Sequence, residues 1–237
     1  MTGTTESPPR DRLQWIVFAA LSLGAAGATG ILSLSGDAWF ERYFGRLEPL
    51  LVIALAAALG AASLGFLRSR GGFDIYARGR SLQGAGVAAA LATLFAIAVI
   101  LLDVRVPFPR DLNVPPPQSL LFYPAIGYVA EICFHALPLA VLLGVLGGLT
   151  RRHPGALVWP SILLAALLEP VLQVGFGLSA RPFSWPDAYV AVHVFAFNLL
   201  QMYAFRRYDF VAMYSMRLVY YVCWHIIWGY ARLQLLF

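Results

Sequence analysis

The chain has 237 residues, of which 60% are hydrophobic and only 12% charged, and its mean hydropathy is strongly positive. That balance excludes an ordinary soluble domain and implies a polytopic membrane protein. The net charge of +5 comes from 17 basic residues that are all arginine; most fall between apolar runs, so the charge belongs to membrane loops and no nucleic-acid partner is expected.

Residues 1–12 are polar and Pro-containing and read as a short cytoplasmic tail; the apolar segment after them is too long for a signal peptide. Apolar runs near residues 13–34, 48–67, 82–102, 119–149, 155–178, 186–205 and 209–231 are each long enough to cross a hydrocarbon core of about 30 Å. They predict an all-α transmembrane bundle of seven spans. The fourth run is overlong and contains Pro138, so it reads as a kinked or tilted helix, or as a helix with a re-entrant piece; an eighth crossing is compatible with it. Small residues fill the first three spans ("AALSLGAAGATG", "ALAAALGAASLG", "GAGVAAALATLFA"), which suits close packing and supplies no chemistry. Residues 13–118 are therefore scaffold helices ending in a Pro-rich outer loop, "DVRVPFPRDLNVPPPQ", read as a stiff linker in preference to a substrate gate. Residues 119–237 form the candidate core. Cys133 and Cys223 lie inside apolar runs and read as small buried thiols.

Cytoplasmic loops retain arginine. One side of the seven-span bundle holds Arg10, Arg12, Arg68, Arg70, Arg78, Arg80, Arg151, Arg152, Arg206 and Arg207, and the other Arg42, Arg46, Arg105, Arg110 and Arg181. Ten against five places the N-terminus inside, in a plasma (inner) membrane.

An ionisable group within a bilayer costs about 2.5–3.5 kcal/mol on insertion scales, so each one inside a span is a candidate functional residue. All such groups lie in the C-terminal half: Glu131 and His135 in the fourth span, Glu169 in the fifth, His193 in the sixth, and Arg217 with His225 in the seventh. At about 1.5 Å per helical residue, Glu131, Glu169 and His225 come about 18, 21 and 24 Å in from a membrane edge, and His193 is compatible with the same layer. Glu131 and His135 share a helix face, as do Glu169 and Gln173, and Arg217, Tyr221 and His225 form one stripe. Arg217 is the expected partner of Glu131 or Glu169, the competing reading being that it snorkels to the cytoplasmic edge. His153, in "RRHPG", reads as a solvent-exposed loop residue.

The stretches "AEICFHAL", "LLAALLEPVLQVG" and "VFAFNLLQMYAFRRYDFVAMYSMRLVYYVCWHIIWG" together resemble the ordered motifs of the CPBP family, the CAAX proteases and bacteriocin-processing enzymes also called Abi. The resemblance covers about residues 119–230. It implies a helical intramembrane peptidase with Glu-Glu-x-x-x-Arg on one helix, Phe-x-x-x-His on the next and a late His-x-x-x-Asn or Asp. It places His225 on the late His and Glu131 on the second glutamate. Ala130 then stands at the first glutamate, His135 at the arginine, Glu169 and Gln173 at the Phe and His of the second motif, and Gly229 at the late Asn. "YVAVH" (Tyr189 to His193) imitates the missing Phe-x-x-x-His.

Peptide hydrolysis needs a base for water, a donor for the leaving amine and a polariser for the oxyanion. The sequence-level expectation assigns Glu131 as base, His193 or His135 to orient water, and His225 to the oxyanion, with Glu169, Gln173, Asn198 and Arg217 supporting. The substrate would be a hydrophobic or prenylated membrane peptide. Two other readings stay open: a divalent metal held by Glu131, His135, Glu169, His193 and His225, and a binding or proton-coupled transport protein on a catalytically degenerate scaffold.

Overall fold

A computed structural model describes residues 8–35, 39–149, 154–178 and 184–237. The described residues are helical, without strands, and seven helices are long and apolar enough to cross a membrane. They are α1 (Pro8–Leu34), α3 (Pro49–Ser69), α4 (Arg80–Arg105), the continuous run of α5 (Ser119–Ala130), a π-helical turn (Glu131–Ala136) and α6 (Leu137–Leu149), α7 (Val158–Leu178), α8 (Trp185–Arg207), and the run of α9 (Phe210–Tyr220), a second π-helical segment (Tyr221–Trp228) and α10 (Gly229–Leu235). A single turn, α2 (Glu41–Phe44), lies in the loop between α1 and α3.

Two sequence-level expectations change. α1 begins at Pro8, so residues 8–12 belong to the first helix rather than to a tail; prolines are tolerated in a first turn, and Asp11 suits its dipole and pairs with Arg68 at 2.6 Å. Among the described residues the fourth segment is one unbroken span, with no eighth crossing. Pro138 cannot donate to the Phe134 carbonyl and its ring crowds it, and the chain meets this by widening to π turns over Glu131–Ala136 instead of re-entering. His153, with Arg151, Arg152 and Arg181, lies outside the described residues.

Helix starts follow local chemistry. Glu48 accepts from the amides of Leu50 (3.1 Å) and Leu51 (2.6 Å) ahead of Pro49, and Ser184 with Asp187 forms a capping box on α8. Asp209 caps α9 by accepting from Ala212 N at 2.8 Å, and also from Ala77 N at 2.8 Å and the Ser81 hydroxyl. Outside the membrane spans, this carboxyl is held above the ordinary aspartate range by burial, against the hydrogen bonds that lower it. The loop between α3 and α4 is non-helical, and Phe73 and Ile75 within it are buried. Its backbone is satisfied by Gln14, which takes the amides of Ile75 and Tyr76 (2.7 and 2.8 Å) and donates to the Tyr76 carbonyl (2.9 Å). The first amides of α9 complete it, donating to the carbonyls of Asp74 and Ile75.

The fourth span is the centre of the bundle: α5 packs on α1 and α9, and its π turn on α3 and α7. α4 lies along α9 and α8 with a face of Ala88, Ala92 and Ala96, all buried, against Phe197, Met216 and Trp224. Small residues thus serve close approach between helices, where bilayer packing has no hydrophobic drive of its own.

Candidate functional site

The polar centre is assembled from four spans around Arg217, a residue only 3% exposed. α9 delivers it past Gly127 of α5, where an added methyl would meet the Arg217 stem at 3.5 Å and the Tyr221 ring at 3.2 Å. Arg217 Nε donates to Glu131 Oε1, and Nη1 and Nη2 donate to Glu169 Oε1 and Oε2 at 3.2 and 3.0 Å. Nη1 also reaches the Tyr221 hydroxyl at 3.2 Å. Arg217 therefore pairs with both membrane glutamates and does not snorkel to the edge. The forked guanidinium suits this, since one planar cation presents donors in several directions at once.

Gln201 of α8 locks the arrangement. Its Nε2 donates to Glu131 Oε1 and its Oε1 accepts from Arg217 Nη2 at 3.2 Å. Gln173 donates to Glu169 Oε1 at 3.2 Å. On the other side of Glu131, His135 Nδ1 stands 3.0 Å from Oε2 with both side chains fully buried. The pair lacks the alignment of a hydrogen bond, so Glu131 Oε2 and both His135 nitrogens have no hydrogen-bond partner among the described residues. One oxygen of Glu131 is thus tied down, and the other faces an imidazole. The cluster holds two carboxylates against one guanidinium, and an uncompensated charge is costly in hydrocarbon.

Not every candidate joins this centre. His193 sits in an aromatic nest between α4, α8 and α9, with its ring 5.0 Å from Phe95 and 5.5 Å from Tyr189, and it shares a 3.2 Å hydrogen bond with the Tyr220 hydroxyl. His225 stacks on Tyr123 at 4.7 Å, and its Nδ1–H donates to Asn113 Oδ1 at 2.7 Å. No hydrogen bond or ion pair among the described residues joins either His to Glu131. Tyr221 stands between Arg217 and His225, its ring 5.1 Å from the imidazole. Equal depth along the membrane normal does not bring the three together, because their helices present them on different faces. Asn198 serves the backbone of a neighbouring helix: Pro170 deprives the Ala166 carbonyl of its helical donor, and Asn198 Nδ2 supplies one at 3.3 Å.

The metal set anticipated from sequence does not converge. Among the described residues no group of three or more His, Cys, Asp or Glu side chains is placed to hold a metal ion. Between Glu131 and Glu169 lies the Arg217 guanidinium, and His193 and His225 are engaged with Tyr220 and Asn113.

Four residues were not singled out from sequence. Gln201 is neutral, so nothing in a charge-based reading marks it. Asn113 comes from the Pro-rich loop, which is bound into the site rather than acting as a plain linker. Its side chain abuts Gly229, where any Cβ would approach its Nδ2 to 2.8 Å. The loop is fastened by a buried pair: Arg232 Nη2 donates to Asp103 Oδ1 at 2.8 Å and Nε to Oδ2 at 2.6 Å, while Arg232 also donates to the carbonyls of Phe108 and Pro109. Asp103 Oδ1 accepts from Phe108 N, and Oδ2 from the Trp228 indole, both at 2.7 Å. Both ionised residues sit near span ends, where a charge is unremarkable in sequence.

The geometry defines a helical membrane protein with a buried Glu–Arg–Glu centre flanked by His135 and, one aromatic layer away, by a His225–Asn113 pair. Compared with protein-family models, curated proteins and solved structures, the chain matches none.

Proposed function

We propose that the chain is an intramembrane peptidase of the CPBP type, acting on a hydrophobic or lipidated membrane peptide, in a plasma membrane with its N-terminus cytoplasmic. The observation that carries this reading is the fully buried Glu131–His135 pair, in which Oε1 is anchored by Arg217 and Gln201 while Oε2 and the imidazole have no hydrogen-bond partner among the described residues. A water bound there would give its proton to Glu131 Oε2 as its oxygen attacks the peptide carbonyl. When the C–N bond breaks, that proton passes to the leaving amine. General-base assistance of this kind is worth about 10²–10⁴-fold in rate. Arg217 spends its five N–H donors on Glu131, Glu169, Gln201 and Tyr221, so the donor left for a developing oxyanion is the Tyr221 hydroxyl, which accepts from Arg217 Nη1 and keeps its own proton. With Nδ1–H committed to Asn113, neutral His225 presents Nε2 as an acceptor, which suits holding a substrate N–H better than polarising a carbonyl. In this reading the oxyanion role expected of His225 from sequence passes to Tyr221. Both π segments carry site residues, as such irregularities often do.

A second reading is favoured by the engagement of both glutamates with Arg217: a non-catalytic homologue that binds a membrane ligand. Cleavage of a fluorogenic prenylated or hydrophobic peptide by the detergent-purified protein separates the two. Glu131→Gln should lower cleavage at least about 100-fold with an unchanged melting profile, and His135→Ala should follow it. A wild type inert towards a broad set of hydrophobic peptides would overturn the peptidase reading and leave the binding one.

A further inference from the structure

On the face opposite the Pro-rich loop, the α3–α4 loop and the ends of α4, α7 and α8 enclose an open cleft of about 390 Å³ lined by Asp74, Arg80, Trp159, Tyr203, Arg206 and Arg207, among others. Three arginines stand there against one aspartate. Arg80 pairs with Asp74 at 3.0 Å. The Arg206 guanidinium lies 5.0 Å over the Phe73 ring and donates to the Gly71 carbonyl at 3.4 Å. Arg207 lies 5.4 Å over the Tyr208 ring. A guanidinium has five N–H donors, so Arg206 and Arg207 retain most of theirs. The position of Arg206 is built in: Gly72, at φ +81, is a conformation that suits glycine, and a methyl there would overlap the guanidinium.

Two features set the depth of the cleft. Its lining comes from the ends of three spans and the loop between α3 and α4, so it lies at the membrane surface. Trp159 and Tyr203, 52% and 45% exposed, stack at 6.4 Å across its rim in the manner of the aromatic belt at headgroup level. The carbonyls at the end of α8 oppose an anion only weakly and only within the last turn, and the cations beside them outweigh this. The first amides of α9 face Asp209 and the α3–α4 loop, so they do not compete.

From this we infer that the cleft binds the phosphodiester headgroup of an anionic phospholipid, with Arg206 and Arg207 on the phosphate and Trp159 and Tyr203 against the glycerol and upper acyl chain. The excess of positive charge selects against zwitterionic headgroups, whose ammonium it repels. A free phosphate would use the arginines but gain nothing from the exposed aromatic rim.

Native mass spectrometry of the full chain, released from detergent with added phosphatidylglycerol or phosphatidylcholine, tests this. The anionic lipid should be retained about tenfold more than the zwitterionic one. Arg207→Gln, at an exposed position, should abolish that preference while leaving the melting profile unchanged, and Arg80→Gln should weaken it. Excess soluble glycerophosphate should not displace the lipid. Equal retention of the two lipids, an undiminished preference in Arg207→Gln, or displacement by glycerophosphate would each overturn the proposal, the last by assigning the cleft to a soluble phosphate.

Discussion

Arg217 carries opposing obligations, because it pairs with Glu131 and Glu169 at once while being itself almost wholly removed from water. A buried ion pair adds little net stability over well-packed apolar residues, yet removing one partner is severe, about 3–5 kcal/mol, since the other charge is left behind. Arg217→Met strands two carboxylates and should lower the thermal unfolding midpoint in detergent more than any other single change in the core. Adding Glu131→Gln and Glu169→Gln to it should recover most of the loss, because no charge is then uncompensated. If the triple variant is as unstable as Arg217→Met alone, the arginine serves packing rather than charge. At this scale the sequence was legible where charge and lipid collide: Glu131, Glu169 and Arg217 stand out in apolar runs and do meet. Gln201 was invisible because a glutamine is cheap almost anywhere, and Asn113 because a loop side chain's target depends on how the loop folds back. His193 and His225 were visible, but their depth alone could not say which face of the bundle they would serve.

The helices themselves were the most legible elements. A hydropathy window senses the hydrocarbon thickness directly, so the seven runs match the spans closely, and errors concentrate where polar residues continue a helix, as in the first turn of α1. What hydropathy does not sense is how a span repairs a proline or where it widens. Pro138 is preceded by π turns that carry Glu131 and His135, and Pro170 is repaired by a side chain from another helix. The Pro-rich loop shows the same limit: its stiffness was evident, its tether was not. With Asp103 and Arg232 holding Phe108 and Pro109, Arg232→Gln should release the loop and with it Asn113. Hydrogen exchange of the amides of residues 108–114 should then quicken about tenfold or more, while that of α5 stays protected. Unchanged exchange would mean that Asn113 and His225 hold the loop by themselves.

Across the whole molecule, polarity is distributed asymmetrically. The described arginines at one end are Arg12, Arg68, Arg70, Arg78, Arg80, Arg206 and Arg207, whereas the other end has Arg42, Arg46, Arg105 and Arg110, with Arg232 cancelled by Asp103. In the proposed orientation, which follows retention of positive loops, the arginine-rich end, with its aromatic-rimmed cleft, would lie in the cytoplasmic leaflet, where anionic lipid also attracts it. In that proposed orientation the Pro-rich loop and the His225–Asn113 pair would face outwards, and a substrate held by His225 would enter from the outer half of the bilayer. In a variant with Cys133 and Cys223 replaced by serine, Arg110→Cys should react with a membrane-impermeant maleimide on intact cells, and Arg78→Cys should react only after permeabilisation; both parent residues are exposed. The reverse pattern would invert the molecule, moving the cleft to the outer leaflet and opening the His225 side to the cytoplasm, the direction from which a prenylated cytosolic peptide would arrive.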